Sequence, residues 1–351
     1  MSDEAEPWPR DIAVLLGDPR LSDRTKLDGA WSAEDHHARR LMREALQAAA
    51  DSRRAEVRFR FLDRHATLLD DLANDPPDFA VNFCDTGYGN RPDRELHIAA
   101  YLDLLGIPYS GAGPQAMVTC FDKALVRLAA QGLQVPVPEE RFAEDAAAMP
   151  VADLSYPALL KPCRADGSTG ITKGAVVGDA AAAEAQLARL ARDFPGEPVL
   201  AQEFLPGAEY GIGLIGNPET GLQALTPLRV DYSGLPADLP QILGFESKTD
   251  PASPYWTDIR YLPAELPAAA QAELAGHARR LFRRLGLRDY GRFDFRTDAA
   301  GRIKLLEVNP NPAWCYDGKL ALMAGFGGMD YPALLGAILD TALARSRPAI
   351  A

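Results

Sequence analysis

Polar and apolar positions alternate most regularly in two neighbouring stretches, Asp289-Tyr-Gly-Arg-Phe-Asp-Phe-Arg296 and Ile303-Lys-Leu-Leu-Glu-Val-Asn-Pro-Asn-Pro312. In the first, Tyr290, Arg292, Asp294 and Arg296 fall on one side of a two-residue period, and Gly291, Phe293 and Phe295 on the other. Successive side chains of a strand point to opposite faces, so one face is polar and the other packs. The second stretch carries Glu307 and Asn309 two apart, and Asp298-Ala-Ala-Gly301 supplies turn residues between the two,. The pair predicts a hairpin with Arg292, Asp294, Glu307 and Asn309 side by side.

The N-terminal part has a different rhythm. Ile12-Ala-Val-Leu-Leu-Gly17 is continuously apolar and ends in glycine, as a buried parallel strand does. Residues 56–62 and 79–83 predict further strands. Residues 34–50, 68–73 and 94–105 predict helices, the first with Ser32 as N-cap,. Strands alternating with helices predict an open parallel sheet, where ligands bind at the carboxyl ends of strands. Glu34 and Asp85 both follow strands in that sense. A second unit begins near Cys120. It comprises a helix over 122–133, the extended Val135-Pro-Val-Pro138, a strand over 156–162, a small-residue loop, a strand over 171–177, a helix over 180–194 and a strand over 198–205,. A third unit opens near Ile212, contains the hairpin and closes with a helix over 331–345. The expected division is therefore 1–119, 120–211 and 212–351.

Composition narrows the classes. The chain has 351 residues, 47% hydrophobic and 25% charged, an ordinary globular balance. Its net charge of −12 argues against a general nucleic-acid or anionic-membrane binder but leaves room for a local basic pocket. Cys84, Cys120, Cys163 and Cys315 are far apart, with neither a metal spacing nor a disulfide framework, so a reducing cytoplasm is the expectation. Residues 1–9 are acidic and proline-containing, unlike a signal peptide,. No apolar run approaches the roughly 18 residues a membrane span needs.

Asp294, Glu307 and Asn309 offer hard oxygen ligands of the kind Mg²⁺ takes together with substrate phosphates. Arg292 among them suits an anion or a developing negative charge. The alternative is a surface hairpin laced with salt bridges. The Gly167-Ser-Thr-Gly170 loop follows Lys161. Small residues let backbone N–H groups approach a phosphate, although a plain turn and a solvated lysine at a strand end fit these residues equally. His36-His37 and the Arg279-Arg280, Arg283-Arg284 pairs predict solvated helix faces. Cys163 and Cys315 lack a paired histidine, against nucleophilic catalysis.

Taken in order, Ile107-Pro-Tyr-Ser-Gly111, Asp122-Lys123, Lys161-Pro162, the Gly-Ser-Thr-Gly loop, Glu203-Phe-Leu-Pro-Gly-Ala-Glu209, Gly291-Arg-Phe-Asp-Phe295 and Glu307-Val-Asn309 resemble the ATP-grasp ligases, and within them the D-alanine–D-alanine ligase group. The resemblance spans about residues 11–340. It implies an α/β ATP-grasp fold with an N-terminal open parallel sheet (pre-ATP-grasp) domain, a central lobe and a C-terminal lobe with metal and catalytic residues. It implies ATP and two Mg²⁺ ions, with Mn²⁺ as the alternative. Lys123 and Lys161 would contact ATP phosphates, and Ser168 and Thr169 would close over them. Gln202, Phe204 and Leu205 would hold adenine, and Glu209 the ribose. Asp294, Glu307 and Asn309 would bind the metals. Arg292 would stabilise the acyl-phosphate and tetrahedral intermediate, Lys248 would meet the γ-phosphate, and Glu34 would hold the first substrate's ammonium.

The chain departs from that pattern around the second substrate. The family's Asn-x-x-Pro-Gly-Met is here Asn309-Pro-Asn-Pro-Ala-Trp314, its later serine falls near Gly318, its tyrosine is Thr249, and Asp85-Thr-Gly87 stands where it has histidine-glycine. Trp314 and Tyr316 belong either in a rebuilt pocket or in the core. The implied activity is ADP-forming amide synthesis between a small carboxylate and an amine, on partners other than two D-alanines. A cell-wall D-alanine–D-alanine ligase and a non-catalytic nucleotide-binding regulator are the alternatives. Small molecules are the implied partners, without nucleic acid or membrane, and a homodimer is compatible.

Overall fold

The continuous apolar run near the N-terminus serves two cores at once. A computed structural model describes residues 7–346, and in it β1 (Asp11–Leu15), β2 (Arg58–Leu62) and β3 (Phe79–Asn82) form a parallel sheet in the order β2-β1-β3. Ile12 and Val14 pack into one core with Met42 and Leu46 of the helix Ala33–Ser52. Ala13 and Leu15 pack into the other with Leu68 and Leu72 of His65–Asn74 and Ile98 and Leu102 of Glu95–Leu105. A strand covered on both faces has no polar side to show. Helix Ala33–Ser52 starts at a capping box in which Ser32 and Asp35 satisfy each other's backbone N–H groups,. It packs against the last helix, Tyr331–Ser346, so both ends of the chain share a core.

The second sheet is antiparallel, ordered β4 (Glu140–Ala143), β7 (Val199–Glu203), β5 (Ala158–Pro162), β6 (Val176–Val177). Helix Ala180–Asp193 covers it through Ala183, Leu187 and Leu190. The third sheet is also antiparallel and runs β11 (Arg260–Pro263), β10 (Leu228–Asp231), β8 (Glu209–Asn217), β12 (Tyr290–Thr297), β13 (Ile303–Asn309), with β9 (Gly221–Ala224) on β8. Helix Ala268–Arg284 lays Leu274, Leu281 and Phe282 on the face that holds Phe293 and Phe295.

Several expectations are corrected. The strand over 171–177 shrinks to Val176–Val177, because the Ile171 carbonyl is taken by the Phe245 N–H at 2.7 Å and Lys173–Ala175 forms a 3₁₀ turn. The line between residues 211 and 212 falls inside β8, and that between 119 and 120 inside the helix Pro114–Phe121. Of the paired arginines, Arg280, Arg283 and Arg284 are exposed, but Arg279 is half-buried and donates to the Leu222 carbonyl. Among the described residues no single helix is long and apolar enough to cross a membrane. Lys319–Phe326 and Tyr331–Ser346 meet at a 105° bend, with most of their apolar side chains in the core.

One buried carboxylate ties the third sheet to the first. Asp289, at the entry to β12, accepts from the Gly111 N–H at 2.8 Å, from Asn217 Nδ2 at 3.1 Å and from Arg345 Nε and Nη2 at 2.8 and 2.9 Å. Removing one partner of such a buried set leaves the others unsatisfied. Asp289→Ala should therefore lower stability by about 3–5 kcal/mol, read by chemical denaturation. A loss under about 1 kcal/mol would show the contact to be dispensable.

Candidate active site

The predicted hairpin is present. β12 and β13 pair with Arg292 opposite Asn309 and Asp294 opposite Glu307. The register slips between Asp294 and Phe295, so that Phe295 faces Leu305 and Leu306 is the extra residue. The bulge re-aims the strand: Leu305 goes to the core, while Leu306 and Glu307 both line the cleft. Arg292 grips Asp294 through Nε at 3.1 Å and Nη2 at 3.0 Å and stands 3.9 Å from Glu307. Burial alone would raise the Asp294 carboxyl, but Arg292 and Lys319 hold it well below the usual carboxylate range. Burial and the Asp294 charge likewise push Glu307 up, and Lys123, Lys248 and Arg292 bring it below its ordinary value.

Asp294, Leu306 and Glu307 form the floor of an open cleft between the second and third sheets. Lys161, Ser168, Gln202, Phe204, Leu205, Glu209, Lys248, Asp294 and Glu307 are all on its walls. Lys161, at the end of β5, is 4% exposed. Burial lowers its pKa to about 8, the like charge of Lys123 adding to the effect. Lys248 is exposed, and its pKa is lowered by desolvation where the side chain meets the cleft and by Lys319 and Arg292 against Glu307. Ser168 donates to the Leu243 carbonyl at 2.8 Å, which draws the small-residue loop onto the third sheet's side of the cleft. Gly170 in this loop has φ +83°, and a Cβ there would lie 2.6 Å from Pro162, so glycine is required.

Five expected residues do not line this cleft. Thr169 sits one residue beyond its wall. Lys123 donates to the Ala165 carbonyl and reaches Lys161, Asp166 and Glu307 only through its charge. Arg292 and Asn309 lie beneath it on the hairpin, and Asn309 Nδ2 is buried without a partner. Glu34 is on the exposed first turn of helix Ala33–Ser52, where Asp35 takes the capping role and also pairs with Lys26 at 2.5 Å.

Glu209, on the cleft wall, also has partners within the protein. Its Oε2 accepts from Tyr232 at 2.7 Å and from Arg296 at 3.3 Å, and Arg296 lies over the Phe204 ring at 5.1 Å. Gln202 Nε2 donates to Glu140, leaving its own carbonyl oxygen free and buried. Among the described residues no three His, Cys, Asp or Glu side chains are gathered to hold a metal. Two facing carboxylates plus an amide oxygen still suit a cation that takes few protein ligands and completes its shell from a bound phosphate. The mutual repulsion of Asp294 and Glu307 is what such a cation would relieve.

A family model described as D-ala D-ala ligase C-terminus matches residues 134–340. The D-alanine–D-alanine ligase of Dechloromonas aromatica is 32% identical, over 72% of this chain and 78% of its own. The chain belongs to the D-alanine–D-alanine ligase family. The ligase of Desulfotalea psychrophila is 29% identical over 90% of this chain and 98% of its own. The crystal structure of the D-alanine–D-alanine ligase from Bacillus anthracis complexed with ATP superposes with a TM-score of 0.68, at 18% identity, over 95% of this chain and 98% of that one, and so shares the fold.

Against that family's pattern, the departures take definite structural roles here. Trp314 goes to the core: it is buried, stacks on Phe83 at 6.1 Å and gives its carbonyl to Tyr331. Tyr316 is half-buried with its ring edge-on to His37, which is itself half-buried rather than solvated. The Thr249 hydroxyl is spent on the Phe245 carbonyl. Asp85 is pushed up to about 6 by burial, with Lys26 opposing and Asp23 adding. Sequence reasoning missed Lys319, Arg296 and Tyr232. Arg296 was visible as the next polar position in the alternation; Lys319, beyond an irregular loop, had no periodic signal.

Lys161 yields a pH prediction. Its folded pKa is depressed to about 8, so its charge is present below that value and lost above it. Tripolyphosphate titrated into the cleft should bind progressively more weakly as pH rises through about 8. Calorimetry giving equal affinity at neutral pH and well above 8 would remove Lys161 from the anion site.

Proposed function

We propose that the protein is an ATP-dependent carboxylate–amine ligase that forms an amide bond through an acyl-phosphate, releasing ADP and phosphate. The observation that carries this reading is the hairpin that sets Asp294, Glu307 and Asn309 beside Arg292 under a cleft with Lys161 and Lys248 on its walls. In this reading the adenine lies against Phe204, Leu205 and Gln202, with Glu209 toward the ribose. Lys123, Lys161 and the Ser168-Thr169 loop hold the phosphates. Asp294, Glu307 and Asn309 hold Mg²⁺, whose charge offsets that of the phosphate oxygens. Lys248 stands at the γ-phosphate. The substrate carboxylate attacks that phosphorus and ADP leaves. The amine then attacks the acyl carbon and phosphate departs, with Arg292 opposite the developing negative charge. Glu34 is assigned to the ammonium of the first substrate, which requires its exposed turn to close inward.

The substrates are amino acids or small carboxylic acids in small-molecule biosynthesis, with an acceptor other than D-alanine. The absence of a hydroxyl at Gly318 and the commitment of the Thr249 hydroxyl to the Phe245 carbonyl support this, because a buried carboxylate without its hydrogen bonds costs several kcal/mol. A D-alanine–D-alanine ligase proper is the second reading, favoured by the match over 98% of the Desulfotalea relative. Steady-state ADP release with D-alanine alone, beside a panel of D- and L-amino acids and small acids, decides between them. D-alanyl-D-alanine formed faster than any other product selects the second reading. The same proposal divides the chain into three domains, with ATP between the central and C-terminal ones and a cytoplasmic location.

Asp294→Asn and Glu307→Gln should each lower kcat for ADP release by roughly a hundred-fold or more with melting temperatures close to wild type. Near wild-type turnover at saturating Mg²⁺ would remove the metal assignment. Lys161→Ala should weaken ATP roughly ten- to hundred-fold and adenosine hardly at all. Equal weakening of both would place the lysine away from the phosphates.

A further inference from the structure

The unpaired carbonyl oxygen of Gln202 is an unmet demand on the cleft wall. Gln202 lies on β7, with Glu140 of β4 directly opposite it and Leu159 of β5 on its other side. Cross-strand partners share a face, and Leu159 and Gln202 both line the cleft. Gln202 is 4% exposed, and its Oε1 is buried without a partner. An unpaired buried acceptor is destabilising until a donor meets it.

Glu140 settles which end of the amide is left over. Its side chain is 3% exposed and accepts from Gln202 Nε2. Arg127 Nε stands 3.9 Å from its Oε1, and the charge of Lys161 is also near. Burial raises the Glu140 carboxyl above its ordinary value, and Gln202, Lys161 and Arg127 oppose that. An ionised carboxylate only accepts, so the end of the amide that meets it is the NH2 end, and the oxygen is the end left for the cleft. Without such a partner a glutamine amide can turn over and offer a donor or an acceptor at nearly the same place.

We propose that Glu140 is a positioning residue for base selection: by holding the Gln202 amide in one orientation it presents a fixed acceptor, so the cleft takes a nucleotide whose base turns an exocyclic amine toward Gln202 and rejects the same base with a carbonyl there. The inference rests on the nucleotide part of the ligase reading and on none of its acyl-transfer steps. Glu140 acts through Gln202 and touches no ligand itself. Phe204 and Leu205, also on the wall, offer contact that an aminopurine and an oxopurine share, so they do not tell the two apart. A site built to pair with an N–H group discriminates strongly against an analogue that lacks it, because two acceptors are then left facing each other.

The test is calorimetric titration of ATP and of ITP, which carries a carbonyl where ATP has its amine, into the full-length protein with Mg²⁺. It compares the wild type, Glu140→Gln, and Glu140→Gln combined with Gln202→Glu. The wild type should bind ATP roughly ten- to hundred-fold more tightly than ITP. Glu140→Gln keeps the shape but offers Gln202 a carbonyl or an NH2, so Gln202 can turn to suit either base. The ratio should fall to within about three-fold, chiefly because ITP binds better. The double variant exchanges the two groups and sets a carboxylate, an acceptor at both ends, at position 202, so the ratio should return to the wild-type value or above. A residue that only props the sheet, or only balances Lys161, would weaken both nucleotides together in Glu140→Gln. An unchanged ratio there overturns the inference, as does a wild type that binds the two alike or binds neither. Where the single variant binds too weakly to be read, the double variant decides: ATP binding restored with the wild-type ratio upholds the inference, and any other result overturns it. ADP release with the acid panel is measured alongside. Its absence, with the binding ratios as expected, fails the ligase reading and leaves base selection standing. Equal turnover and equal binding of ATP and ITP in the wild type overturn base selection and leave the ligase reading intact.

Discussion

β12 has to be two things at once. It lies inside the largest sheet, between β8 and β13, and every residue from Tyr290 to Arg296 is buried. Its aromatic face, Phe293 and Phe295, is packed by the helix Ala268–Arg284. Its other face buries Arg292, Asp294 and Arg296, groups that are expensive to desolvate unless paired. The strand solves this by pairing its charges locally: Arg292 with Asp294 two residues on, and Arg296 with Glu209 on β8. Much of the site follows from this arrangement. Each pair leaves one side of its carboxylate toward the cleft, where cations or hydroxyls of a ligand can reach it without dismantling the sheet.

The same constraint explains why the cleft is bordered by contacts that cross between sheets. Ser168 bonds to Leu243, and Lys304 on β13 bonds to Glu203 on β7. The Leu305 N–H reaches the Pro136 carbonyl at 2.8 Å. The hinge side of the cleft is thus fastened by backbone and ion-pair contacts. The glycine loop, fastened by a hydroxyl and a tight turn, is held more lightly. The cleft is thus fastened firmly at one edge and lightly at the other.

What could be read from the chain alone follows from the range of each signal. The parallel sheet and the hairpin were legible because a continuous apolar run and a two-residue alternation are local patterns. β8 was not, although it is the neighbour of β12. Its residues are almost all buried, so they show no polar side, and its glycines break the strand signal. Gly213 is there for tertiary reasons: a Cβ would lie 2.7 Å from Leu320 and 2.9 Å from Leu225. The bulge at Leu306 was also hidden, its trace being two consecutive leucines in an otherwise alternating run. The chain ordering of Lys161, the small-residue loop and the hairpin pointed to the cleft residues. It could not show that Arg296 and Tyr232 engage Glu209, since those contacts join strands far apart in sequence.

The charge balance of the cleft carries the argument one step further. Lys161, Lys248, Arg296 and Lys319 line it with Glu203, Glu209, Asp294 and Glu307, and Lys123, Arg292 and Asp166 flank them. The whole chain is strongly acidic, so a cleft lined by as many cations as anions runs against the protein's own average. Like charges crowded into a poorly solvated space depress one another, as the buried Lys161 shows beside Lys123, and the free protein bears that cost without return. A polyanion removes it by supplying the missing negative charge, and most where the phosphates are many and close together. The cleft therefore discriminates by charge density before any hydrogen bond is counted. A neutral ligand would leave the crowded lysine charges uncompensated, whereas a polyanion would offset them.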